Sequence, residues 1–160
     1  MAVGTVSGIS DDTYQLIQTI ASTSGSTVTF SGISGYKKLI VAWENVGRSD
    51  SVTPYMTFNG STSNYASQVT LVNTTNYQSA IAGIRCCWST HSSGNTGYYV
   101  IENVNNGAPK IVYGELLGAF DQYLNEIRGS WTVADAITSI TFTANGTWNA
   151  GSMKLYGVAS

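Results

Sequence analysis

Apolar and polar residues alternate in short bursts along this chain, and Gly, Asn and Ser interrupt each burst before it reaches helical length. A two-residue period places successive side chains on opposite faces of a strand, so each burst specifies a strand and not a helix. Strands are predicted at Tyr14 to Ile20, Val28 to Phe30, Leu39 to Trp43, Tyr55 to Phe58, Ser67 to Val72 and Ser79 to Trp88. Five more follow at Tyr98 to Val104, Lys110 to Leu117, Ile127 to Val133, Ser139 to Thr143 and Ser152 to Val158. A count near ten predicts an all-β fold, an antiparallel β-sandwich that is jelly-roll-like. Single helical turns at Val133 to Ala136 or Ala119 to Leu124 would not change that class.

The punctuation agrees. Asn59-Gly60 and Asn145-Gly146 offer the positive backbone dihedrals that tight turns need, with Asn106-Gly107 and Ser93-Gly94-Asn95 extending the pattern. Pro54 and Pro109 each fall at the start of a predicted strand, where a missing amide donor is tolerated. The 160 residues suit one domain large enough to bury a two-sheet core. Residues 13–160 form that domain, and residues 1–12, polar and Gly-rich without alternation, form an N-terminal arm outside it. The arm has two readings: a disordered terminus, or a segment that orders on a neighbouring subunit.

Composition narrows the partners. Only 10% of residues are charged and the net charge is -2, so the surface is polar but largely uncharged. Phosphate contacts supply most of a nucleic-acid binder's affinity, and seven scattered Lys and Arg make no basic stripe, so no nucleic acid is expected. No run approaches the apolar length of a membrane-spanning helix, and Met1 to Thr5 has neither a basic nor an apolar leader region. No membrane is expected as a partner, and synthesis is expected in a cytoplasm. Cys86 and Cys87 are adjacent in a predicted strand, which puts one inward and one outward and makes a disulfide between them strained. Both are read as free thiols, one buried and one not; with one His and no further Cys, no metal site follows.

Catalytic constellations are missing from the pattern. His91 is the only imidazole and lies in a loop, without the nucleophile elbow that a Ser-His-Asp triad would need. Ser34-Gly35-Tyr36-Lys37 has a Ser-x-x-Lys spacing but precedes a strand where that motif requires a helix. Glycoside hydrolysis needs two facing carboxylates, and nothing in the spacing of Asp50, Glu102, Glu115, Asp121, Glu126 and Asp135 nominates a pair. Clustered oxygen ligands at Asp11-Asp12 or Ser49-Asp50-Ser51 lack the alternating acidic pattern of a calcium loop. The chain is expected not to be an enzyme and to carry no cofactor.

Ten Tyr and four Trp exceed what a small core requires. Trp43 and Trp131 sit in strongly apolar contexts and are assigned to the core. Trp88, Tyr98, Tyr99 and Trp148 lie near predicted loops and are the candidate contact residues, either as anchors of a subunit interface or as a platform on which a sugar ring stacks.

Four segments carry a resemblance: Phe58-Asn59-Gly60-Ser61-Thr62-Ser63-Asn64-Tyr65, Ser34-Gly35-Tyr36-Lys37-Lys38-Leu39, Gly129-Ser130-Trp131 and Gly151-Ser152-Met153-Lys154-Leu155-Tyr156-Gly157. Together they span nearly the whole chain and resemble the β-sandwich domains of tailed-phage virions, which serve as capsid cement proteins and as distal domains of tailspikes. The resemblance implies an inward-packed Tyr36 and no catalytic activity. It further implies a virion structural protein, a cement or decoration protein on the outer capsid surface that acts as a homotrimer over the major capsid protein and also aids host attachment. The alternative is a tail-associated receptor-binding module that contacts host-surface glycan.

Overall fold

A computed structural model of the chain describes residues 13–71, 74–87, 94–105, 107–118 and 124–160. The N-terminal arm, Trp88 and His91 lie outside the described residues.

Twelve strands follow in chain order: β1 (Tyr14–Ala21), β2 (Thr27–Ser31), β3 (Tyr36–Arg48), β4 (Tyr55–Phe58), β5 (Tyr65–Leu71) and β6 (Thr74–Ile81). Then come β7 (Ile84–Arg85), β8 (Asn95–Glu102), β9 (Lys110–Gly118), β10 (Leu124–Trp131), β11 (Ser139–Thr143) and β12 (Trp148–Ala159). They form two antiparallel sheets, one of eight strands in the order β1-β12-β3-β8-β9-β10-β5-β6 and one of four in the order β2-β11-β4-β7. The run β1-β12-β3-β8 facing β2-β11-β4-β7 is the strand order of an eight-stranded jelly roll. Two inserted hairpins, β9–β10 and β5–β6, continue the large sheet beyond β8. The fold is therefore the expected all-β sandwich with a widened large sheet.

The core lies between the sheets and is built on aromatic contacts. Trp43 of β3 meets Tyr99, Phe142 and Trp148 edge-on, with ring centroids 5.5, 5.5 and 5.6 Å away. Phe142 belongs to the small sheet and the other three rings to the large one, so this cluster ties the layers together, each such pair adding about 0.5–1.5 kcal/mol beyond area burial. A second cluster joins Phe58, Tyr65 and Trp131 under the inserted strands, Tyr65 stacking on Trp131 at 6.0 Å. Trp43 and Trp131 are thus core residues, as their apolar contexts require. Tyr36 packs half-buried against the core, its ring occupying the space where Gly157 has no side chain.

The sequence expectations need four corrections. The run read as one strand over Ser79 to Trp88 breaks at Ala82-Gly83, where the chain leaves the large sheet and starts β7 in the small one. A Cβ on Gly83 would come within 2.9 Å of the Met56 carbonyl oxygen, so the crossing demands glycine. Cys86 and Cys87 consequently follow β7 instead of alternating within a strand, and both are buried free thiols, where one exposed thiol was expected. Asn145 and Gly146 do not take positive φ, and the Gly146 N–H donates to the Asp50 carboxylate. No helical turn forms over Val133 to Ala136, and residues 119–123 lie outside the described set.

Candidate functional site on the outer face of the large sheet

Alternation along β3, β8, β9, β10 and β12 sends one set of side chains into the core and the other onto the outer face of the large sheet. Register aligns the outward set into rows. One row runs Leu16, Tyr156, Ile40, Val100, Tyr113, Arg128 and Gln68. Beside it on one flank run Lys154, Ala42, Tyr98, Glu115, Glu126 and Thr70. On the other flank are Val158, Lys38, Glu102, Ile111 and Ser130, and Leu117 faces Leu124 at the far end of the β9–β10 hairpin. Among the described residues the exposed large hydrophobic ones are Tyr14, Leu16, Val52, Tyr98, Ile111, Tyr113, Leu117 and Leu124, and all but Val52 belong to this face. Scattered apolar surface is ordinary, whereas this set is gathered on one sheet face.

The opposite side of the sandwich differs in kind. Thr27, Thr29 and Ser31 on β2, Ser139, Thr141 and Thr143 on β11 and Thr57 on β4 lie on the outside of the small sheet, with Tyr55 of β4 and Arg85 of β7 toward its edge. Thr29 and Thr141 share a hydroxyl hydrogen bond of 3.0 Å across the β2–β11 pair. Short hydroxyl side chains that bond to each other and to water suit a solvent-facing layer.

Charges on the large outer face fall into two groups. Lys38 and Glu102 pair at 3.0 Å, and the Tyr113 hydroxyl donates to the same Glu102 oxygen at 3.1 Å. The hydrogen bond to Glu102 holds the Lys38 ammonium above its ordinary pKa; loss of solvent, then the bond to Glu102, raises the Tyr113 phenol. Lys154 and Glu44 pair at 2.6 Å. Glu115, Glu126 and Arg128 form the second group and have no hydrogen-bond or ion-pair partner among the described residues. They surround a shallow cleft of about 140 Å³ whose walls include Tyr98 and Tyr113. Gly114 lies in its floor, where a Cβ would run into the Tyr98 backbone, so β8 and the inserted β9 approach closely beneath it.

Of the four candidate contact aromatics, the structure leaves one of the described three on the surface. Tyr98 is 43% exposed at the cleft. Tyr99, its neighbour on the opposite strand face, is 0% exposed and donates its hydroxyl to the Cys86 carbonyl at 2.8 Å. Trp148 is 1% exposed, with its indole N–H donating to the Ser26 carbonyl at 3.1 Å. Neither Tyr99 nor Trp148 is available to a sugar or a neighbouring subunit: Tyr99 faces inward from β8, and β12 begins earlier than its alternation showed and carries Trp148 into the core. Tyr113 and the Glu115–Glu126 pair escaped the sequence reading. The signal that finds them is the β9–β10 hairpin register, which opposes Glu115 to Glu126 and Tyr113 to Arg128.

Other candidate ligand groups have structural duties. Asp50 approaches the buried Arg48 guanidinium at 3.5 Å and accepts the Val52 N–H at 2.8 Å and the Gly146 N–H. Lys110 is buried and donates to the Ala108 and Ala134 carbonyls at 2.9 and 3.3 Å, its pKa lowered by loss of solvent. Among the described residues no group of three or more His, Cys, Asp or Glu side chains could hold a metal, and no helix is long and apolar enough to cross a membrane. The fold defines a class, an antiparallel β-sandwich. No protein-family model, curated protein or solved structure matches the chain.

Proposed function

We propose that the chain is a virion structural protein of the capsid cement class, which reinforces the outer surface of a tailed-phage head as a homotrimer over the major capsid protein. The observation that carries the reading is the gathering of exposed apolar side chains on the outer face of the large sheet, opposite a hydroxyl-covered small sheet. A subunit with two such unlike faces has a preferred side to bury. Trimer, head location and phage origin come from the sequence resemblance, and synthesis in the bacterial host cytoplasm goes with them.

The mechanism is mass action. A protein that binds only the assembled shell stabilises that shell by its binding free energy, and a trimer multiplies weak contacts through effective concentration. No chemistry is required of the subunit. Glu115 and Glu126 are direct cross-strand partners on one face of the sheet, whereas hydrolysis of a glycosidic bond needs carboxylates on either side of it.

Light scattering on the purified protein should report a trimer, and Leu16→Lys should shift it to monomer while leaving the thermal midpoint of the subunit fold unchanged. Gold-labelled antibody should then decorate heads in a lysate that contains the protein. A monomer at high concentration, or label confined to tail tips, overturns the reading.

A further inference from the structure

Two connections cross between the sheets side by side, residues 49–54 from β3 to β4 and residues 144–147 from β11 to β12. They are tied together. The Ser49 N–H donates to the Thr147 carbonyl at 2.8 Å, the Thr147 N–H to the Ser49 hydroxyl at 2.9 Å, and the Gly146 N–H to Asp50 Oδ2. A Cβ at position 146 would meet Ser49 Oγ at 2.5 Å and Asp50 Oδ2 at 2.7 Å, so only glycine brings its amide to that carboxylate. The other oxygen, Oδ1, is fixed by the Val52 N–H at 2.8 Å and the Arg48 guanidinium at 3.5 Å, and the Asp50 side chain is only 15% exposed. Asn145, immediately before this amide, is exposed, and its side chain makes no hydrogen bond among the described residues.

We infer that Asn145-Gly146 is a site of spontaneous modification, at which Asp50 is the base that drives conversion of Asn145 to an isoaspartyl or aspartyl residue. A backbone amide is a poor nucleophile while it keeps its proton, and a base must lie within hydrogen-bond reach of the proton it removes. Asp50 Oδ2 meets that condition. It takes the proton from the Gly146 nitrogen, which attacks the Asn145 side-chain carbonyl carbon and closes a succinimide ring. The Cγ–Nδ2 bond breaks, and ammonia leaves with the proton that Asp50 held. Solvent water then opens the ring at either carbonyl, leaving a carboxylate where the carboxamide stood.

Asn59-Gly60 supplies the contrast. The Asn59 carboxamide is held by four hydrogen bonds, accepting from the Thr138 N–H, the Thr138 hydroxyl and the Ser139 N–H and donating to the Ala136 carbonyl. No carboxylate accepts from the Gly60 N–H among the described residues. The same dipeptide is locked at one turn and poised at the other. Modification would act on the crossing itself, because Ala144 and Trp148 are pinned on either side of it by N–H bonds to the Ser26 and Gly25 carbonyls, at 2.9 and 2.8 Å. An isoaspartyl residue adds a methylene to the backbone between those pins, and the paired connections must loosen to admit it. The site lies off the outer face of the large sheet and is independent of the cement reading.

The test is a time course on the folded full chain in neutral buffer at physiological temperature, and on the same chain unfolded in urea. Peptide mapping by mass spectrometry, with enzymatic methylation of isoaspartate, measures product at each Asn-Gly pair. Folding should raise the rate at Asn145 by about tenfold, the lesser part of what a positioned base supplies, and lower the rate at Asn59 by about as much. This ratio needs no variant. Asp50→Asn, which keeps the shape and removes the base, should return the native rate at Asn145 to the urea value, with circular dichroism confirming the fold. The isoaspartyl fraction should melt below the fresh protein. A native rate at Asn145 at or below the urea rate overturns the site, as does an acceleration that survives Asp50→Asn; an unchanged melt overturns the loosening of the crossing.

Discussion

The Tyr65 hydroxyl accepts a hydrogen bond from the Phe58 backbone N–H at 2.8 Å and faces the Phe58 and Ser61 carbonyls at 3.4 and 3.3 Å. It closes the segment that carries the chain from β4 in the small sheet to β5 in the large one. Its ring meanwhile lies against Phe58 and Trp131. Tyr65→Phe keeps the ring and leaves the Phe58 N–H buried without a partner, which costs about 1–3 kcal/mol. A thermal melt should fall by about 2–4 °C per kcal/mol lost; an unchanged midpoint would show that the amide finds another acceptor.

Asn59 anchors the other side of the same crossing. Its side-chain oxygen accepts from the Thr138 N–H, the Thr138 hydroxyl and the Ser139 N–H at 2.8, 3.1 and 3.1 Å, while its amide donates to the Ala136 carbonyl at 2.8 Å. The residue also holds φ 52°, followed by Gly60 at 69°. Asn59→Gly removes the bonds but keeps the dihedral; Asn59→Ala removes both. Urea unfolding should rank the variants wild type, Gly, Ala in falling stability, the last two separated by about 1 kcal/mol. Equal losses would show that the side-chain bonds alone matter.

Residues at this crossing show what the sequence can and cannot disclose. Tyr55 to Phe58 and Ser139 to Thr143 place Met56, Phe58, Ile140 and Phe142 inward in strict alternation, and both strands occupy the predicted residues. β9 does not alternate that way: Lys110, Val112, Gly114, Leu116 and Gly118 face inward, while Ile111, Tyr113, Glu115 and Leu117 face out. Hydropathy along such a strand cannot tell its faces apart, because its outward side is itself apolar. The cleft was hidden for that reason, and because its members come together only through pairing across β8, β9 and β10. Trp148 was misplaced for a different reason: the polar Asn149 and the small Ala150 and Gly151 conceal the start of a long strand with register shifts against β3.

Burial raises the Cys86 thiol well above its ordinary value of 9.0, with Cys87 beside it adding to the shift, and burial likewise raises the Tyr99 phenol above 10.0. A folded-state pKa above the unfolded one means stability that is complete below the unfolded value and is lost as pH rises from there. Unfolding free energy should therefore start to fall near pH 9.0, where the unfolded thiol ionises, and steepen near 10.0 as the tyrosine joins. Each group adds a slope of about 1.4 kcal/mol per pH unit. Cys86→Ala should flatten the first part of that decline; an unaltered slope would remove the thiol as its source. Neither Cys86 nor Cys87 should react with iodoacetamide in the native protein, and both should react once urea unfolds it.

Gly157 and Tyr36 are opposed by shape alone. A Cβ at position 157 would run into the Tyr36 ring, although the backbone at Gly157 is not in the left-handed region, so the glycine is required by its neighbour and not by its dihedrals. Gly157→Ala should cost about 1–3 kcal/mol through overpacking. If the ring is the cause, the same substitution in a Tyr36→Ala background should cost less, leaving a coupling of about 0.5 kcal/mol or more. Chemical denaturation of the four proteins in this cycle measures the coupling. A zero value would place the requirement for glycine in the backbone pairing of β12 with β1 and β3, since all three strands share that register.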